Sequence, residues 1–115
     1  MQQTPYNTDK VLTLKTQQGE LYLSLKNIVC IEGERNYSNI YLNNGKKELV
    51  SKTLSNLEDL LEDKGFFRCH KSYLINKSHI IDSNSLTVKM SNNNNLPISR
   101  RKKDAFKHWL ENIEA

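Results

Sequence analysis

Phe66-Phe67-Arg68-Cys69-His70-Lys71-Ser72-Tyr73-Leu74-Ile75-Asn76 sets two short apolar segments on either side of a polar centre. Phe66-Phe67 and Tyr73-Leu74-Ile75 read as strands. Three potential cations and a hydroxyl between them would be costly inside a buried strand, so the chain is expected to turn outward there. The stretch then becomes a basic turn at the end of a β framework. Two other readings stay open: an exposed edge guarded by charge against aggregation, and a His70 that bonds a backbone carbonyl inside the fold.

Working outward, the N-terminal side alternates at period two. Leu12 and Leu14 share one face, as do Leu21, Leu23 and Leu25, with Gly19 as the turn signal between the two segments, which predicts a hairpin. Ile28–Ile31 is a short apolar run, expected as a strand buried on both sides. Tyr37–Leu42 alternates again, with Ile40 and Leu42 on one face, and ends in Asn43-Asn44-Gly45. Asn-Gly supplies the positive φ values of a tight hairpin turn, and Lys47–Ser51 is the returning strand.

A helix follows. Ser55 and Glu58 fit a capping box, Leu57, Leu60 and Leu61 form the buried stripe, and Gly65 is the left-handed stop. Its acidic residues, Glu58, Asp59, Glu62 and Asp63, read as a solvated face. On the C-terminal side, Ile80-Ile81 and the alternating Leu86, Val88 and Met90 are strands. Ser91–Asn95 reads as an asparagine-rich hairpin loop, because asparagine tolerates left-handed conformations. Leu96 and Ile98 pair back. A last helix, capped by Ser99, carries Phe106, Trp109, Leu110 and Ile113 on one apolar face.

The 115 residues fit one domain with a modest core. Residues 1–9 read as a tail or linker remnant and 10–115 as the domain, mainly β with two short helices. No apolar run approaches the ~20 residues of a membrane span, and the start lacks the build of a signal peptide, so the expected location is cytoplasmic, with no membrane partner. Cys30 and Cys69 lack metal-ligand spacing and read as buried, reduced thiols. Neither cofactor nor metal is expected.

The formal net charge of +4 is unevenly placed. From Phe66 to Leu110 nine basic residues face only Asp82 and Asp104, a surplus of seven. A basic face on a small domain points to a polyanion. The run Arg100-Arg101-Lys102-Lys103 sits where the last helix begins. A helix N-terminus favours anions, so each cation there costs about 0.3–1 kcal/mol at low salt. Conflicts of this kind tend to mark functional sites. A phosphate would resolve this one by pairing with the arginines while accepting from the helix amides; the alternative is four side chains splayed into water, where salt screens the repulsion. In Glu34-Arg35-Asn36-Tyr37-Ser38-Asn39, arginine and asparagine suit bidentate contacts to guanine and adenine, although a surface turn with no partner would look the same.

Together these stretches are similar to a known family. From about Leu12 to Leu110 the chain resembles the LytTR DNA-binding domain of bacterial regulators. Ile31-Glu32-Gly33 with Asn36-Tyr37 is similar to the first family motif, Phe67–Asn76 to the strongest one, and Leu96-Pro97-Ile98-Ser99-Arg100-Arg101 to the closing one. The resemblance implies an elongated stack of small antiparallel sheets, with loops at sheet ends entering successive major grooves of double-stranded DNA. Carried over by position, it implies base reading at Asn36, Lys71 and Arg100, and phosphate contacts from Arg35, Arg68, His70, Ser72, Arg101 and Lys103. It also implies a dimer on paired direct repeats, and the output half of a response regulator in a two-component system. These residues contain no receiver domain, so phosphorylation-driven dimerisation is not encoded in them; a receiver or sensory domain would lie elsewhere.

Three rival readings have different requirements. An RNA- or single-strand-binding module needs exposed aromatic platforms; Tyr37 and Tyr41 are candidates, whereas most other aromatics fall on apolar faces. An enzyme using Cys69 and His70 is disfavoured, because neighbours on a strand point to opposite faces, and the chain shows no phosphate-cradling glycine loop or paired-carboxylate cleft. A protein-interaction module without nucleic acid is the third.

Overall fold

The structure, a computed structural model, describes residues 10–112. Within them ten strands and two helices build three small antiparallel sheets in a flattened stack of 41 × 39 × 24 Å. Strands β1 (Val11–Thr16) and β2 (Gly19–Ser24) form the first hairpin, with Leu12 opposite Leu23 and Leu14 opposite Leu21. A single 3-10 turn, Leu25–Asn27, leads into β3 (Ile28–Glu34). Then come β4 (Tyr37–Leu42), β5 (Lys47–Val50), helix α1 (Leu54–Leu60), β6 (Phe66–His70) and β7 (Tyr73–Asn76). These five strands pair in the order β5-β4-β3-β7-β6. After a 3-10 turn at Lys77–His79, β8 (Ile80–Ser83), β9 (Thr87–Met90) and β10 (Asn95–Pro97) form the third sheet, and helix α2 (Lys103–Glu111) closes the chain.

The five-stranded sheet separates two cores. On one face the first hairpin and α1 cover Ile28, Ile31, Ile40 and Leu74; on the other the third sheet and α2 cover Val29, Cys30, Ile75 and Cys69. Ile28–Ile31 is buried throughout, as the apolar run predicts. A register shift between Ile28 and Cys30 bulges β3, and Val29 and Cys30 accordingly both serve the second core.

Several local expectations give way. The cap of α1 is Thr53, whose hydroxyl accepts from the Asn56 amide, and not Ser55. The helix ends at Leu60, so Gly65 (φ +87°) closes the following turns instead of stopping the helix. Its buried stripe is Leu54, Leu57 and Leu61, with Leu60 turned outward. The Asn43-Asn44-Gly45 loop places only Gly45 in the left-handed region, because Asn44 instead accepts the Lys46 amide through its side chain. Strand β6 continues through Arg68, Cys69 and His70 before turning. It can do so because it is a sheet edge and its bulge at Cys69 sends the thiol inward while Arg68 and His70 stay half-exposed. Leu86 lies in the turn before β9, exposed. Of the last apolar stripe, Phe106 is buried and Trp109 and Leu110 are half-buried; Ile113, like the tail at residues 1–9, falls outside the described residues.

Trp109 stacks on Phe67 at 5.0 Å between centroids and lies 6.1 Å from Phe106. Trp109→Ala should cost about 3 kcal/mol, the low end for a large aromatic because one side is wet; urea denaturation giving a loss under about 1 kcal/mol would show the stack to be dispensable. Both thiols are free and buried, and burial pushes each up to about 12 from an ordinary value of 9.0. Below about pH 9 the thiols are protonated in both states and add no pH dependence. Between about pH 9 and 12 the unfolded chain holds fewer protons than the native one, so stability should fall as pH rises through that window. Native protein at neutral pH should resist iodoacetamide and react once unfolded in urea; fast labelling of the native protein would contradict this burial.

Candidate nucleic-acid interface

Two hairpin turns meet at one end of the five-stranded sheet. Arg35-Asn36 links β3 to β4 directly, Glu34 pairing with Tyr37, and Lys71-Ser72 links β6 to β7, His70 pairing with Tyr73. Because β3 and β7 are adjacent, with Glu32 opposite Tyr73, the two turns lie side by side, and the Gly33 amide donates to the Ser72 carbonyl at 2.8 Å. Gly33 is required here for a further reason. A Cβ at that position would lie 2.9 Å from the Cβ of Leu54, so only glycine lets α1 press this close to β3. Arg35 has φ of 60°, the left-handed region that β-carbon sterics disfavour by roughly 1–2 kcal/mol. Such strain persists where surrounding structure enforces it and clusters at functional sites.

The second turn is braced from below. The Arg68 guanidinium donates to the Ser55 hydroxyl and the Glu58 carboxylate, both at 3.1 Å, and to the Lys71 carbonyl at 2.6 Å. The helix face read from sequence as solvated therefore supplies a counter-charge at Glu58. The i, i+3 spacing of Ser55 and Glu58 was the available signal, and it marks an arginine clasp rather than a capping box. His70 accepts the Ser72 amide at Nδ1 (3.1 Å), not a carbonyl partner. That bond leaves the proton of the neutral ring on Nε2. The Ser72 backbone is thus held on both sides, by His70 and by Gly33.

The third basic segment is tied to the same edge. The Ser99 amide donates to the Cys69 carbonyl at 2.8 Å, and the Cys69 thiol donates to the Pro97 carbonyl at 3.5 Å. Ser99 makes no side-chain cap; Arg100–Lys102 form a 3-10 turn and the α-helix begins only at Lys103. Lys102 folds back with Nζ 5.4 Å from the centre of the Phe67 ring, a cation–π contact. Arg100, Arg101 and Lys103 remain exposed, as do Arg35, Asn36 and Lys71. The structure therefore brings Arg35, Asn36, His70, Lys71 and Ser72 together at one sheet end and joins Arg100, Arg101 and Lys103 to it through β6. It turns Arg68 inward among protein partners.

Beneath the first turn, Glu32 accepts from the Tyr41 hydroxyl at 3.0 Å and from the Asn39 amide at 3.5 Å. Burial and this carboxylate push the Tyr41 phenol up to about 12. Among the described residues no group of three or more His, Cys, Asp or Glu side chains could hold a metal ion, and no helix is long and apolar enough to cross a membrane.

Comparison with known proteins matches the chain both by sequence and by fold. The sequence profile of the LytTr DNA-binding domain family matches residues 19–111. The structure is similar to that of the LytTr DNA-binding domain of a putative methyl-accepting/DNA response regulator from Bacillus cereus, with a TM-score of 0.72 and 25% identity, covering 89% of this chain and 97% of that one. No curated protein matches the sequence. The matched residues hold all three basic segments, and with that span the chain belongs to the LytTR family, DNA-binding domains of transcription regulators and not an enzyme family.

Proposed function

We propose that this domain binds double-stranded DNA sequence-specifically by setting its three basic segments into successive major grooves, as the output domain of a bacterial response regulator. The observation that carries the reading is the pair of backbone bonds, Gly33 to Ser72 and Ser99 to Cys69, which lock three exposed polar turns to one framework. On this reading Asn36, Lys71 and Arg100 contact base edges, while Arg35, His70, Ser72, Arg101 and Lys103 position the phosphate backbone. Arg68 is a positioning residue, holding the Lys71 turn through its carbonyl. The domain would act as a dimer on paired direct repeats, with a receiver or sensory domain supplying the signal, in the cytoplasm. A stacking mode of single-strand binding finds little support: Tyr41 is bonded to Glu32, leaving Tyr37 as the exposed aromatic beside the turns.

Selection from a randomised duplex library at near-physiological salt should enrich a short motif, repeated about 10 bp away. Arg100→Ala should cost about 1–3 kcal/mol and relax preference at one base pair. No enrichment, with binding that vanishes as salt rises, would reduce the basic face to a non-specific anchor and favour the interaction-module reading. Stronger binding to the single strand in competition would favour the RNA-type reading.

Lys103→Ala and Arg68→Met separate a phosphate contact from a brace. Lys103→Ala should weaken all sequences alike and flatten the salt slope by about one unit. Arg68→Met should weaken binding with the slope unchanged and with a lowered melting temperature. A slope change of about one for Arg68→Met would place its guanidinium on phosphate.

A further inference from the structure

The link from β5 to α1, Ser51-Lys52-Thr53, comes to the same sheet end as the first basic turn. Val50 lies opposite Ser38, so the chain leaving β5 runs on past the start of β4 toward Asn36. The hydroxyl of the buried Ser38, two residues after Asn36, donates to the Lys52 carbonyl at 2.7 Å. Two residues beyond Lys52, Leu54 presses on Gly33, where a Cβ would lie 2.9 Å from the Leu54 Cβ. The backbone at Lys52 is therefore held to β4 and, through Leu54, to β3. These are the two strands that the Arg35-Asn36 turn joins. The Thr53 hydroxyl accepts the Asn56 amide and fixes the next residue as well.

On this fixed backbone the side chain is left to face outward. Lys52 is half-exposed, and among the described residues it pairs with no carboxylate. In this it differs from Arg68, Lys77 and Lys102, whose charges meet protein partners. With strands ~4.8 Å apart, the line of β5 stands about 7 Å from the middle of the β3–β4 turn, half the width of a ~12 Å major groove and a little more. A side chain at that offset meets the phosphates that wall the groove and not the base edges inside it. Lysine suits such a place, because a point charge on a flexible stem follows a phosphate without demanding a fixed geometry. Lys52 also stands at the outer edge of the row β5-β4-β3-β7-β6, while Arg100 is tied to β6 at the other through Ser99 and Cys69. The two cations bracket the turns between them.

On the reading that the Arg35-Asn36 turn enters a major groove, we propose that Lys52 is a further DNA contact, binding one backbone phosphate on the outer flank of that groove.

The test is the salt dependence of binding by the whole chain to two duplexes of equal length, one carrying the selected motif and one of generic sequence. Lys52→Met, which keeps most of the apolar stem and removes the charge, should lower the slope of log K against log salt by about one unit on both. Binding at 0.1 M salt should weaken about fivefold to tenfold. The melting temperature should stay within about two degrees of the unaltered chain, as for a surface substitution. Lys52→Arg should restore the slope, and Lys46→Met, in the loop at the far end of β5, should leave it unchanged. Single methylphosphonate substitutions along both strands then locate the contact. One position should weaken the unaltered chain and have no further effect on Lys52→Met, and it should adjoin the base pair at which Asn36→Ala relaxes preference. An unchanged slope, or an equal change in Lys46→Met, would overturn the proposal, as would an affinity loss that appears only with a lowered melting temperature. A lowered slope with no base pair relaxed by Asn36→Ala would keep Lys52 on a phosphate and overturn the placement of the turn in the groove.

Discussion

The pairing of β3 with β7 is the joint on which the molecule depends. Cys30 lies opposite Ile75, Ile31 opposite Leu74 and Glu32 opposite Tyr73, joining segments more than forty residues apart in sequence. Because successive side chains on a strand point to opposite faces, the same few residues feed both cores: Ile31 and Leu74 face the hairpin and α1, Cys30 and Ile75 face the third sheet and α2. A one-residue slip would exchange the two sets and expose both cores to mismatched partners. The register also fixes what happens at the ends of the strands. At one end it sets Gly33 against Ser72, and at the other it brings the Asn76 amide to the Ile28 carbonyl.

Charge is distributed around this joint in two ways. Some cations are absorbed by the fold: Arg68 by Glu58 and Ser55, Lys102 by the Phe67 ring, Lys77 by Trp109 and the Asn112 carbonyl. These side chains shape turns and walls. Others, including Arg100, Arg101 and Lys103, are left in solvent. The repulsion foreseen for four cations at a helix start is partly removed by geometry. Three of the four sit in a 3-10 turn ahead of the helix, and one of those three is folded onto an aromatic ring.

Much of the framework was legible because it rests on local patterns. Period-two alternation located β1, β2, β4 and β9, and the apolar run Ile28–Ile31 was recognisable as the strand buried on both sides. Of each polar stretch flagged in sequence, only the centre became a turn: Arg35-Asn36, Lys71-Ser72 and Arg100–Lys102. What escaped was decided by contacts distant in sequence. Ser55 and Glu58 have the spacing of a capping box, yet their partner is Arg68, and Thr53 caps instead. Gly33 gives no sign in sequence that Leu54 will lie against it. The strand β6 could carry Arg68 and His70 only because it lies at an edge, and edge position is a property of the sheet. The extreme case is Lys10, Lys26, Lys64 and Lys77, which share no local pattern in sequence and line one hollow only because the closed topology brings them together.

On the proposed reading recognition falls to turns rather than to a helix, a division that the architecture favours. A reading helix must offer one face to the groove while its other face packs on the domain. Helix α1 has seven residues, with Leu54 and Leu57 buried, and its outer side carries Asp59, which a phosphate backbone repels. Helix α2 is committed through Phe106 and the Phe67–Trp109 stack, and its exposed start is where the basic turn already stands. The two-residue turns are stiff for the opposite reason: each is closed by paired strands, and the Ser72 carbonyl of one accepts the Gly33 amide from the strand leading into the other. A short, rigid, polar protrusion can enter a major groove with less ordering cost than a flexible loop. On the proposed reading, specificity then rests on the register of β3 against β7, which sets Asn36 against Lys71, and on the Ser99–Cys69 bond, which ties Arg100 to β6.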